Sequence, residues 1–129
     1  MSGTSFDPGF TTEAMAALWS NDGRLEALVG AEAALAKAQA ACGVITQEAA
    51  DEIVRVCDEL TLDGDAILAE GWELGTPVLA IVDLLRRGLG TAAAAAVHLG
   101  ATTQDIVDTA TVLQIRSSLA VFEDELVTL

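Results

Sequence analysis

Apolar residues recur every three or four positions along most of the chain, a spacing that predicts amphipathic helices. Residues that favour helix ends divide this pattern into segments. The first half of the chain is thereby predicted to form helices over 12–19, from Asn21 or Asp22 to Ala41, from Thr46 to about Leu60, and from Asp63 or Asp65 to Glu70. Gly43 is expected just past the end of the second helix, where glycine commonly adopts the left-handed conformation. No alternating strand pattern competes, so the predicted fold class is all-α.

The second half of the chain carries equally clear helix signals. Thr76 is predicted to cap a helix whose first position is Pro77, where the missing N–H costs nothing. Arg86 and Arg87 fall in the last turn of that helix, and a favourable interaction with the helix dipole accounts for both. The alanine-rich residues 91–97 fit either a helix or a connector.

The final predicted helix is the most informative element. Thr102 or Thr103 caps it, and Thr102 with Asp105 forms a variant of the capping box in which Asp replaces the usual Glu. The helix continues to Leu129 without Gly or Pro, and apolar residues surround most of its axis. Such a helix is expected to be buried on most sides, yet the preceding helices are too few to cover it. We therefore expect it to pack against other subunits, and the chain to be part of a longer protein.

Composition and charge then narrow the classes of function. The 129 residues include 20 acidic and six basic side chains and one histidine, which gives a formal net charge of −14. This balance argues against nucleic-acid binding, because that function needs clustered Lys and Arg. No apolar run approaches the ~20 residues of a membrane span. The N-terminus lacks the basic and apolar regions of a signal peptide, so a cytoplasmic location without membrane contact is expected.

The two cysteines, Cys42 and Cys57, are too few and too far apart for a disulfide framework, and no CxxC motif occurs. They are expected to be small buried thiols in a reducing compartment. With only one histidine in the chain they cannot assemble the usual ligand set, so no metal site is predicted.

Polar side chains that could bind a ligand or take part in catalysis concentrate in residues 98–105, HLGATTQD. This segment holds the only histidine, two hydroxyls, an amide and a carboxylate at a predicted helix N-terminus. Free backbone N–H groups and the helix dipole favour an anion there, so the segment fits a carboxylate-binding site. Ordinary helix capping is the simpler interpretation of the same residues. Thr76 presents the same choice at another helix N-terminus, between lining a pocket and capping.

Residues 98–110, HLGATTQDIVDTA, resemble the first signature region of the fumarase/aspartase superfamily, whose pattern is roughly H-x-G-x-T-S-x-D-x-x-D-T-A. The variant GATTQD is most similar to the branch of bacterial 3-carboxy-cis,cis-muconate cycloisomerases. Further agreement with that branch lies in residues 6–10, 32–39, 43–45 and 75–78. Adenylosuccinate lyases share the signature but carry a His-containing segment near 75–78, and that His is absent here.

The resemblance implies an N-terminal helical domain over 1–101 and the start of a long bundle helix over 102–129. It also implies a homotetramer whose active sites each take signature regions from three subunits. The implied reaction is a lactonisation of a small polycarboxylate in the protocatechuate branch of aromatic degradation, without metal or organic cofactor.

By the same resemblance, Thr102 and Thr103 would hydrogen-bond a substrate carboxylate and His98 would line or brace the pocket. Gln104 is a weaker candidate for substrate binding, and Thr76 is a candidate for pocket lining. Asp105 and Asp108 are interpreted as structural.

The superfamily's second region, with a further His, and its loop with the proposed catalytic Ser are both absent from this sequence. The resemblance therefore implies an N-terminal fragment that is inactive alone and self-associates. Two alternatives remain open at this point. One is another lyase of the superfamily, such as adenylosuccinate lyase, and the other is a non-catalytic helical interaction module.

Overall fold

The computed structural model describes residues 10–128, and within that range the chain folds into seven α-helices without strands. The helices are α1 (Glu13–Leu18), α2 (Asn21–Ala41), α3 (Gln47–Glu59), α4 (Gly64–Leu74), α5 (Pro77–Arg87), α6 (Thr91–Ala96) and α7 (Thr103–Val127). The all-α prediction is confirmed. The alanine-rich segment forms a helix rather than a connector. The stretch 6–9 that contributes to the family resemblance lies outside the described residues, as does Leu129.

Helix starts follow the local capping chemistry of the sequence, with one correction. Thr76 and Thr102 cap α5 and α7 as expected. The N-cap of α2 is Ser20, whose extended backbone lets its hydroxyl accept from Gly23 N–H at 3.1 Å. The prediction of Asn21 or Asp22 as this cap was wrong because both residues already lie in the first helical turn.

Helix α4 also differs from its predicted end at Glu70. It continues to Leu74 and stops where Gly75 takes a left-handed φ of 79°. Gly43 adopts the same conformation after α2, at φ 70°, as predicted.

The core lies around α2, which packs against α3 on one side and α7 on another. Helix α5 contributes the most fully buried group of side chains. The largest side chains with less than 2% exposure are Leu25, Leu28, Ile53, Ile81, Leu85, Val78 and Val82. Cys57 is buried in this core as expected, and burial raises the pKa of its thiol to about 11. The same expectation was wrong for Cys42, which lies exposed at the end of α2.

The chain's own helices cover only one face of α7, so the expectation of burial on most sides is not met within this chain. The buried residues of α7 are Ile106, Ala110, Gln114 and Ser118. Helix α1 is held against that face by polar contacts, because Gln114 Nε2 donates to Leu18 O at 2.6 Å and Trp19 Nε1 donates to Ser118 Oγ at 2.9 Å. None of the helices in residues 10–128 combines the length and apolarity needed to cross a membrane.

Two glycines of α2 provide a test of the α1–α2 packing. A Cβ atom at Gly23 would lie 2.4 Å from Ala17 O, a backbone atom that cannot move aside easily, whereas one at Gly30 would meet nothing within 4 Å. We expect Gly23→Ala to destabilise the fold by about 1–3 kcal/mol. Gly30→Ala should stabilise it by about 0.5–1 kcal/mol, because alanine favours helices. Thermal unfolding of both variants measures the difference, and equal effects would contradict this packing.

Candidate functional site

The segment that joins α6 to α7 turns sharply through left-handed backbone. His98 has a φ of 59° and Gly100 a φ of 71°. A positive φ is costly for a residue with a side chain and persists only where surrounding contacts hold it. His98 is the only non-glycine residue with positive φ in the part of the chain that the structure describes. The strained backbone therefore coincides with the sequence-predicted site.

His98 is held by a buried carboxylate from α2. Its Nδ1 lies 2.6 Å from Glu32 Oε1, and the two side chains are 12% and 2% exposed. Burial raises the pKa of Glu32, while the hydrogen bond from the His98 ring, its charge, its backbone and the charge of Arg86 oppose that rise. The pair links two points 66 residues apart in the sequence.

The N-terminus of α7 is capped by the predicted capping box of Thr102 and Asp105. Thr102 N–H donates to Asp105 Oδ2 at 2.8 Å, and Asp105 N–H donates to Thr102 Oγ1 at 3.4 Å. The Thr102 hydroxyl also donates to Asp105 Oδ2 at 3.0 Å. These bonds, the backbone one foremost, lower the pKa of the Asp105 carboxyl. The Thr102 hydroxyl proton is therefore engaged within the helix cap.

Thr103 is the candidate residue whose donors remain available. Its hydroxyl makes no hydrogen bond to any residue of 10–128, and neither do the backbone N–H groups of Thr103 and Gln104. The Gln104 side chain is turned away to donate to Asp108 Oδ1 at 2.6 Å. The start of α7 thus offers one free hydroxyl and two free N–H groups, donors of the kind that bind anions at helix N-termini.

Thr76 lies at a separate helix start and acts there as a cap. Its hydroxyl accepts from Val78 N–H at 3.3 Å, and no hydrogen bond joins it to residues 98–104 within the described chain. The other end of α5 comes closer to the site, because Arg86 Nη2 reaches Val97 O at 3.5 Å. Arg86 therefore places a positive charge beside the His98 turn. The sequence predicted only its role in the last turn of α5, not this proximity to the site.

Sequence reasoning missed Glu32 as a functional residue, although the sequence contains a signal for it. Leu25, Leu28, Glu32 and Ala36 follow the three-to-four-residue spacing of the buried face of α2. A charged residue at such a position is rarely buried without a partner. The pattern identifies Glu32 as unusual, but only the fold identifies His98 as its partner.

Two cavities of the chain lie away from the side chains of the predicted site. A cavity of about 480 Å³ lies between α2 and α3, lined by Asp22, Glu26 and Cys57 among others, and contains none of the predicted site residues. A smaller apolar groove of about 240 Å³ reaches Leu99. Within residues 10–128, no group of three or more His, Cys, Asp or Glu side chains is placed to hold a metal ion.

The capping box predicts a pH dependence of stability. Because the folded state lowers the pKa of Asp105, its carboxylate stabilises the fold above the unfolded pKa of about 3.9. This contribution is lost as the pH falls through the lower folded value. We expect Asp105→Ala to unfold at a lower temperature than the unsubstituted chain at pH 7, and the gap to narrow as the pH falls below about 4. A gap that stays constant from pH 7 to pH 3 would contradict this role.

Comparison with known proteins places these features in a family context. A family model described as lyase matches residues 9–129. Trans-aconitate decarboxylase 1 of Mycosarcoma maydis is 42% identical over 121 residues, which cover 91% of this chain and 24% of that protein. The 3-carboxy-cis,cis-muconate cycloisomerase of Pseudomonas putida is 36% identical over 129 residues, which cover 98% of this chain and 31% of that protein. Adenylosuccinate lyase of Methanocaldococcus jannaschii is 35% identical over 120 residues, which cover 93% of this chain and 26% of that protein.

Solved structures agree with these relationships. The 3-carboxy-cis,cis-muconate lactonizing enzyme from Pseudomonas putida superposes with a TM-score of 0.83 at 36% identity, covering 96% of this chain and 29% of that one. Fumarate lyase from Mesorhizobium sp. BNC1 gives a TM-score of 0.81 at 38% identity, with 88% and 26% covered. The chain spans about a quarter to a third of the length of the relatives it matches.

Proposed function

This chain belongs to the lyase family of the fumarase/aspartase superfamily, and from that premise we propose that it supplies a polycarboxylate-binding part of a cofactor-free 3-carboxy-cis,cis-muconate cycloisomerase. The observation that carries the proposal is the cluster of free donors at the start of α7, next to His98. A carboxylate seated there receives hydrogen bonds from Thr103 and from two backbone N–H groups. His98 braces the neighbouring turn.

The proposed chemistry explains why anion binding matters. In lactonisation, one carboxylate of the substrate adds across a carbon–carbon double bond, and the adjacent carbanion is held as an aci-carboxylate until it is protonated. The intermediate carries two negative charges on one carboxyl group. Preorganised donors that point at this group stabilise the charge as it develops. In this proposal Thr103 is the principal side-chain donor of this segment, while Thr102 keeps the helix cap rigid.

The remaining parts of the site must come from elsewhere. The chain carries a net charge of −14, and Arg86 is the basic residue that approaches the His98 turn. Regions of the longer relatives that have no counterpart here are proposed to supply further positive charge and the proton-transfer groups. The 129-residue chain alone is therefore expected to show no lactonising turnover.

Assembly with other copies is also part of the proposal. Exposed apolar residues of α7 follow a three–four–three–four spacing, which is the spacing of a helix-bundle seam. These residues are Val112, Ile115, Leu119, Phe122 and Leu126, and their exposed fractions range from 45% to 68%. We propose that copies of the chain associate through this seam, as expected for a homotetramer. A non-catalytic interaction module would use the same surface.

Another lyase of the superfamily is the second candidate function. The adenylosuccinate lyase relative is as similar in sequence as the cycloisomerase, so identity alone favours neither. The residues at 75–78, GTPV, lack the histidine expected of adenylosuccinate lyases, and this difference favours the cycloisomerase.

Titration of the labelled chain with 3-carboxy-cis,cis-muconate, adenylosuccinate and sulfate tests the proposal. We expect the muconate to move the amide signals of Thr103 and Gln104 at millimolar concentration, with weaker effects of the other two. An absorbance assay on the same sample should show no lactone formation. Equal shifts with all three anions would show only the general anion affinity of a helix N-terminus and would contradict a specific substrate site. Turnover by the chain alone would contradict the proposal that further regions complete the site.

A further inference from the structure

Helix α2 carries the only buried charged side chain in the part of the chain that the structure describes, and that side chain reaches the candidate site. Glu32 is charged, yet it lies among the core residues of α2 and is only 2% exposed. A buried carboxylate is tolerated when it is paired and hydrogen-bonded. Its hydrogen-bond partner is the His98 ring, at 2.6 Å, and burial raises the pKa of the Glu32 carboxyl. This costly arrangement suggests a role beyond packing.

A second polar side chain of α2 contacts the same turn. Gln39 Nε2 donates to Leu99 O at 2.6 Å. Gln39 lies seven residues after Glu32, which places both side chains on one face of the helix, two turns apart. Its Oε1 is buried without a hydrogen-bond partner in the described chain. Two consecutive residues, 98 and 99, are thus fixed by side chains of one rigid helix.

The chemistry of the pair determines where the proton of His98 resides. A Glu32 carboxylate in its ionised form can only accept a hydrogen bond, and this 2.6 Å contact then requires the hydrogen on Nδ1 of His98. Nε2 is then the ring nitrogen left for other partners. In the protonated ring Nε2 also carries a hydrogen, which can be donated to an anion. This is the division of labour by which a carboxylate orients a histidine in catalytic triads.

We propose that Glu32 is a positioning residue that fixes the tautomer of His98 and presents its Nε2 to the polycarboxylate, with Gln39 holding the turn. The inference rests on the proposed function, because it assumes that the ligand of this site is a carboxylate. It explains the positive φ of His98 as strain that two contacts from α2 maintain. It also explains why a charged residue occupies a core position of α2.

The single histidine of the chain makes the proton position directly measurable. Long-range proton–nitrogen spectra of the 15N-labelled chain distinguish the two neutral tautomers. We expect the neutral ring to be protonated on Nδ1 in the unsubstituted chain. A proton found on Nε2 instead, with a protonated Glu32 donating to Nδ1, would overturn the inference whatever the variants do.

Glu32→Leu separates positioning from simple stabilisation. Leucine suits a core position, so the helical circular dichroism should persist while the preference for the Nδ1–H tautomer is lost. Glu26→Leu makes the same chemical change at an exposed position of α2 and should leave the tautomer unchanged. Gln39→Leu should keep the tautomer but speed amide exchange at Leu99 and Gly100. A Glu32→Leu chain that keeps the Nδ1–H tautomer would contradict the proposal.

Tricarballylate, an unreactive tricarboxylate, separates this inference from the proposed function. With the His98 ring protonated, we expect Glu32→Leu to weaken tricarballylate binding about tenfold relative to Glu26→Leu, because the ring loses the carboxylate that orients it. Equal affinities of the two variants would overturn the positioning role. If tricarballylate moves no signal of residues 98–104 while the Nδ1–H tautomer is present, the proposed function fails together with the presentation of Nε2 to a ligand, and only the tautomer-fixing role of Glu32 stands.

Discussion

Leu85→Ala is expected to lower the free energy of unfolding by about 2–5 kcal/mol, the cost of removing a large apolar side chain from a close-packed core. Leu85 is 0% exposed on α5, the helix that also buries Val78, Ile81 and Val82. Urea denaturation followed by circular dichroism measures the change. Because total stabilities of small domains are about 5–15 kcal/mol, this variant should be partly unfolded at moderate temperature. A loss below about 1 kcal/mol would mean that α5 is not a core element.

Leu119→Ala is the matched control, since it makes the same chemical change on α7 at 62% exposure. At low protein concentration its effect on unfolding should stay within about 0.5 kcal/mol, as for other surface substitutions. Its effect should instead appear in association, because Leu119 lies in the middle of the apolar seam. Sedimentation velocity of the unsubstituted chain should show self-association that weakens in the variant. A chain that remains monomeric at high concentration would contradict the proposed seam.

Thr103→Val is expected to reduce kcat/KM about 10–100-fold in an enzyme that contains this chain, because a hydrogen bond to a charged group contributes about 1.5–3 kcal/mol. A suitable enzyme is a chimera in which the chain replaces the matching part of the Pseudomonas putida cycloisomerase, which is 36% identical over 129 residues. Lactone formation from 3-carboxy-cis,cis-muconate gives the rate. The chimera tests the residue in the presence of the regions that this chain lacks.

Two further substitutions control the Thr103 experiment. Thr103→Ser keeps the hydroxyl and should retain most of the activity. Thr109→Val removes a hydroxyl on the same helix that donates to Asp105 O at 2.7 Å, and it should leave the rate nearly unchanged. If Thr103→Val and Thr109→Val reduce the rate equally, Thr103 is not a substrate ligand.

The helices could be predicted because the signals that start and stop them are local. Thr76 with Pro77, and Thr102 with Asp105, specify their helix ends within a few residues, and the structure confirms both. The cap of α2 was misplaced because Ser20, Asn21 and Asp22 are adjacent residues that all favour caps. Only the backbone conformation of Ser20 decides among them.

The sequence located the candidate site, but it could not show which of the site's residues are free to bind a ligand. His98 and the residues that start α7 are contiguous, so the motif identified them, yet the motif did not show that Asp105 accepts from the Thr102 hydroxyl while Thr103 stays free. The Glu32–His98 pair joins two distant helical segments and depends on how α2 packs against the turn. Similarly, the periodicity of α7 predicts that its apolar faces need partners, but periodicity cannot distinguish partners within the chain from other copies.

The central claim, that this chain provides part of a polycarboxylate-binding active site in a cycloisomerase, is tested most directly by the unsubstituted chimera. We expect it to assemble like the Pseudomonas putida enzyme and to convert 3-carboxy-cis,cis-muconate to lactone while leaving adenylosuccinate intact. A chimera with the parent's helical content and sedimentation coefficient that forms no lactone would contradict the claim.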